Sequence, residues 1–285
     1  MPLLKIVILA IIQGLAELLP VSSSAHVVVA ERLMGLNASS PEMTLMLVML
    51  HTGTMFAVIV YFWKQWRDTY FRTAQAFKTI AIRLIWATVL TAIVGEIMQK
   101  IVEHTLLKGV PHAEIEDLFN HLEWIWPALF AVGILILIAG LATRNKTYDA
   151  REPSLSQSSW IGAVQGFCLP FRGFSRSGAT ISTGMLAGVS RERSETFSFA
   201  LAVILTPPVV AREVLRLAKG QHISGSLHLA SAMLPDLMGA VCSFVAGLLA
   251  LKWLSKWLEV GRWYLFGIYC LVASIVVFYL HHIGY

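Results

Sequence analysis

The chain has 285 residues and a net charge of +5, but only 14% of its residues are charged and 56% are hydrophobic. Soluble domains carry about 25% charged residues to cover their water-facing surface. An ordinary soluble enzyme, a disordered chain and a secreted disulfide scaffold are therefore excluded, which leaves a polytopic membrane protein.

Spanning a bilayer takes about 20 apolar residues. The first segment, 3–36, is apolar but broken at Leu19-Pro20-Val21-Ser22-Ser23-Ser24. Its opening could pass for a signal peptide, but Gln13 and Glu17 interrupt the apolar core and Lys5 is its lone basic residue, so it is expected to remain. Three spans follow, at about 43–63, 79–99 and 124–142. A second broken segment, 159–189, is interrupted from Leu169 to Gly178, and three more spans follow at about 194–215, 228–251 and 262–281. Two half-length helices joined by a Pro/Gly/Ser break predict a re-entrant hairpin, because irregular backbone at that depth must line a cavity or pack in protein. The predicted fold is an all-α polytopic membrane protein with six transmembrane helices and two re-entrant helical hairpins.

The two broken segments resemble each other. Ile12-Gln13-Gly14-Leu15 aligns with Val164-Gln165-Gly166-Phe167, Ser23 then falls on Ser175, and Met34-Gly35 nearly meets Ala187-Gly188 with one residue of slip. The chain is predicted to be a single membrane domain, 1–285, built of repeat one, 1–145, and repeat two, 155–285. Three crossings separate the hairpins, so the repeats are expected to be inverted and the hairpin tips to meet near the midplane. That arrangement suits transport or catalysis alike. Cys168, Cys242 and Cys270 read as buried hydrophobes. Trp124, Trp126, Trp253, Trp257 and Trp263 lie near span ends, as in an interfacial belt.

Lys and Arg set the orientation. Lys64, Arg67, Arg72, Lys78, Arg144, Lys146, Arg151, Arg191, Arg193, Lys252, Lys256 and Arg262 fall on one face, which is expected to be cytoplasmic. The other face carries Lys5, Arg32, Lys100, Lys108, Arg212, Arg216 and Lys219, with acids at Glu103, Glu114, Glu116, Asp117 and Glu123. The termini and the entry of the first hairpin then lie outside.

Gln13 and Glu17 are four apart and share a helix face. A carboxylate in an apolar run costs about 2.5–3.5 kcal/mol, which makes Glu17 a functional candidate. Ser22, Ser23, Ser24 and His26 form the first break. A serine cluster can simply cap a helix, yet hydroxyl, imidazole and carboxylate together are the parts of nucleophilic or acid–base catalysis. Ser175, Arg176, Ser177 and Thr180 form the second break. Arg176 offers a planar donor fork, and the helix it opens offers free N–H groups, both suited to phosphate. Arg172 either lines the same cavity or reaches the interface, and His51-Thr52-Gly53-Thr54 reads first as a packed polar patch. The carboxylate could also hold a divalent metal bridging phosphate oxygens.

Gln13-x-x-x-Glu17-Leu-Leu-Pro20-Val-Ser-Ser-Ser-Ala-His26 and Gly173-Phe-Ser175-Arg176-Ser177-Gly178-Ala-Thr180 resemble the bacitracin-resistance family of undecaprenyl-diphosphate phosphatases along nearly the whole chain. The resemblance implies hydrolysis of the terminal phosphate of a C55 isoprenoid diphosphate. That reaction recycles the carrier lipid for cell-wall synthesis in the bacterial inner membrane. It also implies a divalent metal (Mg or Ca) and an active site open to the periplasm. By position it casts Ser23 as the proposed nucleophile, His26 as the essential histidine and Arg176 as the motif's arginine; on that basis Arg176 is expected to clamp the diphosphate and His26 to manage the proton, with direct attack by a His26-activated water as the rival route. Glu17 would orient His26 or hold metal, with Gln13 at the motif's first position; Ser22, Ser24, Ser175, Ser177 and Thr180 would bind phosphate. The chain departs from the family pattern at Arg172, where the motif usually has proline. The partners expected are a polyprenyl diphosphate lipid and the membrane, with a homodimer left open and nucleic acid excluded. A lipid-phosphate transporter or flippase is the alternative function.

Overall fold

A computed structural model describes residues 2–37, 40–106, 121–144, 146, 148, 151–220, 226–258 and 262–284, without the side chains of 41–42, 106, 213–214, 216–220, 226–233 and 253–258. Lys108, Glu114, Glu116 and Asp117 lie outside the described residues, as do the side chains of Glu213, Arg216, Lys219, Trp253, Lys256 and Trp257.

The described residues form helices only: α1 (Leu3–Leu18), α2 (Ser23–Leu33), α3 (Pro41–Thr69), α4 (Ala74–Leu106), α5 (Leu122–Thr143), α6 (Leu155–Cys168), α7 (Arg176–Leu186), α8 (Arg191–Gly220), α9 (Ser226–Leu258) and α10 (Tyr264–His282). Local chemistry explains several starts. Ser40 accepts from Met43 N ahead of Pro41, a residue whose missing N–H costs nothing in a first turn. Ser154 and Gln157 close a reciprocal capping box at α6. Among the described residues, six helices are long and apolar enough to cross a membrane: Met43–Thr69, Ala74–Thr105, Leu122–Thr143, Arg191–Arg212, Leu234–Lys252 and Tyr264–His282. They overlap the six spans expected from sequence and run a few residues longer at several ends. α8 continues as one helix through Pro207-Pro208.

The short helices pair as α1–α2 and α6–α7, each joined by a break. α2 and α7 both have 11 residues, serine caps at Ser22 and Ser175, and exits at positive-φ glycines, Gly35 and Gly188. The caps place the one-residue slip inside the second break, so Ser175 corresponds to Ser22 rather than to Ser23.

Packing explains the repeated Gln-Gly dipeptide. α1 lies on α9, and α6 lies on α4. A Cβ on Gly14 would come within 2.5 Å of Ala246 Cβ, and one on Gly166 within 2.6 Å of the Thr91 carbonyl. Glycine therefore lets each short helix approach its partner closely, as small residues do between membrane helices. Gln13 and Gln165 beside them are fully buried. α5 packs on α10, and α3 on α8 and α9. One apolar cluster joins Val21 and Val28 to Ile125, Ile136, Ala179 and Cys270, and so seats both breaks against α5 and α10. Trp263 is not interfacial: it is 2% exposed and donates to Ser182 Oγ at 3.1 Å. Beside the exit of α7, Arg193 reaches Glu152 at 2.7 Å and Tyr70 donates to the same carboxylate at 3.3 Å. These contacts join the end of α3, the start of α8 and the entry to α6.

Candidate active site

The two breaks meet. Arg176 Nη2 donates to Glu17 Oε1 at 2.8 Å, and Ser177 Oγ donates to Leu19 O at 3.3 Å. Ser23 and Arg176 are the first residues of α2 and α7, so two helix N-termini converge on one place. Their free N–H groups and dipoles make that place receptive to an anion.

Glu17 is the hub. Its Oε2 accepts from Gln13 Nε2 at 2.9 Å and from the Ser23 hydroxyl in a short hydrogen bond, while His51 Nε2 lies 3.3 Å away. The Glu17 and Arg176 side chains are 12% and 21% exposed. A carboxylate so withdrawn from water is held by its partners, and removing one partner of such a pair is far more costly than never having buried it. His51 Nδ1 faces Leu47 O at 2.7 Å. A carbonyl only accepts, so Nδ1 carries hydrogen and Nε2 is the atom presented to Glu17.

The backbone of the first break is strained. Ser22 has φ 66°, the one positive value outside glycine among the described residues; such a conformation costs about 1–3 kcal/mol and gathers at functional sites. Its side chain caps Ala25 N at 3.4 Å, and its carbonyl accepts from His26 Nδ1 at 2.8 Å. His26 Nε2 then accepts from the Tyr269 hydroxyl at 2.7 Å. His26 thus braces the break from α10, and its ring nitrogens reach neither Glu17 nor Ser23. The imidazole on Glu17 is that of His51.

A cavity of about 300 Å³ opens on this cluster, lined by Glu17, Ser22, Ser23, Ser24, Arg172 and Arg176 among others. Ser175 and Ser177 also line it, with their hydroxyls 3.4 Å apart. Its far wall is apolar, from Leu47, Met55 and Val58 of α3 and Phe199, Val203 and Val209 of α8. Gln13, His26 and Thr180 are outside the lining. Thr180 donates to Arg176 O at 2.8 Å and meets Ser198 Oγ at 2.6 Å, which ties the arginine's turn to α8. A void of this size is at the small end of ligand sites and has room for a phosphate-sized anion.

No three His, Cys, Asp or Glu side chains gather to hold a metal among the described residues. Mg²⁺, however, is commonly held by one or two carboxylates plus substrate phosphates rather than by a protein cage. Glu17, which lines the cavity, fits that mode, whereas Gln13 turns its amide nitrogen to Glu17 and stands outside the lining.

Sequence reasoning put Glu17, Ser23 and Arg176 at the centre, and the structure brings them together. It ranked His51 low, because a polar patch opening a span gives no sign of its facing direction. Tyr269 carried no signal at all, being 243 residues from its partner His26.

Residues 6–276 match the model of the family described as bacitracin resistance protein BacA. "Undecaprenyl-diphosphatase 2" of Acinetobacter baylyi is 57% identical over 280 residues, 97% of both chains. "Undecaprenyl-diphosphatase" of Rhodopirellula baltica is 31% identical over 98% of both. "Undecaprenyl-diphosphatase 2" of Burkholderia ambifaria is 32% identical over 96% of this chain and 95% of its own. With a match running nearly end to end, the chain belongs to the bacitracin resistance protein BacA family.

Proposed function

We propose that this membrane protein is an undecaprenyl-diphosphate phosphatase, which removes the terminal phosphate of the C55 diphosphate and returns the carrier lipid to cell-wall synthesis, conferring bacitracin resistance. The observation that carries the reading is the joining of two helix N-termini, Ser23 and Arg176, across one carboxylate in a cavity with an apolar wall. Relatives matched end to end bear the name of that activity.

The residues divide the work as follows. Arg176 and the α7 N-terminus clamp the terminal phosphate, assisted by the hydroxyls of Ser22, Ser24, Ser175 and Ser177. Ser23 Oγ attacks phosphorus as its proton passes to Glu17, to which it already donates. The bond to the bridging oxygen breaks, undecaprenyl phosphate leaves, and water then hydrolyses the phosphoserine. His26 fixes the strained cap that aims Ser23, and Thr180 fixes the turn that carries Arg176. A divalent ion, Mg or Ca, held by Glu17 and the substrate's own phosphates would offset phosphate charge. Positioning and charge neutralisation supply most of the acceleration in phosphoryl transfer.

We read α1–α2 and α6–α7 as re-entrant hairpins of two inverted repeats. Reciprocal packing supports this: the first short helix of each half lies on the middle span of the other, α1 on α9 and α6 on α4. The Lys/Arg balance supports a periplasmic opening in the inner membrane. The test is phosphate release from undecaprenyl diphosphate by detergent-purified protein, with and without chelator. A flippase needs two compartments and would release none; no release under either condition ends the phosphatase reading.

A further inference from the structure

We propose that Arg172 is a specificity-determining residue, a second guanidinium that grips the second phosphate of the headgroup and makes the site select diphosphate over monophosphate. The inference rests on the phosphatase reading and deepens it. Arg172 precedes Arg176 in the break between α6 and α7, and both line the same cavity. One guanidinium cannot serve both phosphates well: Arg176 is already engaged with Glu17 at 2.8 Å and sits where the terminal phosphate meets two helix N-termini. Arg172 is the other permanent cation on the cavity wall, and its planar fork suits a phosphate.

Both arginines come from the second break, and each has an acid of the first helix pair in its surroundings. Glu17 of α1 pairs with Arg176 directly at 2.8 Å, whereas Glu31 of α2, 1% exposed, acts on Arg172 as a nearby charge. A nearby carboxylate favours a guanidinium's place on the wall before substrate arrives. A competing account makes Arg172 merely the counter-charge of buried Glu31, and the experiment separates the two.

Binding of inorganic diphosphate and of inorganic phosphate to the purified full chain is measured by calorimetry, alongside kcat and KM for undecaprenyl diphosphate. For Arg172→Gln, diphosphate affinity falls about tenfold or more, as for one lost charge-assisted hydrogen bond, while phosphate affinity stays within about twofold. KM rises and kcat changes little. Arg172→Lys recovers part of the loss. Because Arg172→Gln strands Glu31 and could unfold the chain, the double variant Arg172→Gln/Glu31→Gln is measured as well; it folds and keeps the loss. Equal weakening of both anions, no weakening, or recovery of diphosphate affinity in the double variant overturns the proposal. The calorimetry needs no turnover, so a wild type that binds diphosphate but releases no phosphate refutes the phosphatase reading and not this one.

Discussion

Replacing Glu17 by glutamine keeps the shape of the hub and reverses half of its hydrogen-bonding sense. The carboxylate accepts on both oxygens, from Arg176 on one and from Gln13 and Ser23 on the other, with His51 at 3.3 Å. An amide has one accepting and one donating end. Arg176 can only donate, whereas Ser23, Gln13 and His51 can each turn an accepting atom inward. The amide oxygen of Glu17→Gln therefore faces Arg176, and its NH₂ faces the other three. Stability falls by about 1–3 kcal/mol, the step from charged to neutral hydrogen bonds, moderated because Arg176 is 21% exposed and reaches water. Activity falls much further. Ser23 loses the acceptor for its proton, and general-base removal costs roughly 10²–10⁴ in rate, about 3–5 kcal/mol of barrier. Phosphate release and a thermal melt on the same preparation check the split. More than a tenth of wild-type activity in a folded Glu17→Gln protein, or a loss wholly explained by unfolding, would refute the role given to Glu17.

Ser23→Ala is expected to abolish turnover, and acid-quenched wild type to yield phosphoserine on a peptide containing Ser23; full activity in Ser23→Ala would leave only direct attack by water. Gly53→Ala tests the packing behind His51. A Cβ there would stand 2.1 Å from the Ala240 carbonyl, so α3 and α9 must part, lowering stability by about 1–3 kcal/mol and moving His51 off Glu17. An unchanged melt would mean that the crossing is looser than described. Beside the exit of α7, burial pushes the Glu152 carboxyl above its ordinary 4.5, and Arg193 and the Tyr70 hydroxyl pull back only part of the rise. A raised acid binds more protons folded than unfolded, so its contribution is present below 4.5 and lost as pH rises through the folded value. The melting-temperature difference between wild type and Glu152→Gln should decline along that rise; a difference that grows with pH contradicts it.

The spans were legible because a bilayer imposes length and apolarity that few residues can disguise. The breaks were legible because Glu17 and Arg176 are charges where charge is costly. Other features depend on direction in space. His51 needed the turn of α3 to be known before it could be assigned to Glu17, and His26 needed Tyr269 from a distant helix. Trp263 sits at a span end, as an interfacial tryptophan would, but Ser182 offers its indole N–H a buried acceptor. The Gln-Gly dipeptides were visible as a repeat, yet only the close approaches at Gly14 and Gly166 give the glycine its reason.

The central claim is that the two breaks form one phosphatase centre. Its most direct test measures phosphate release from undecaprenyl diphosphate by wild type and Arg176→Gln, purified in detergent and matched for fold. The account predicts one phosphate per lipid from wild type and a rate lower by about a hundredfold or more in the variant. A silent wild type, or an Arg176→Gln rate within about twofold of it, would contradict the account.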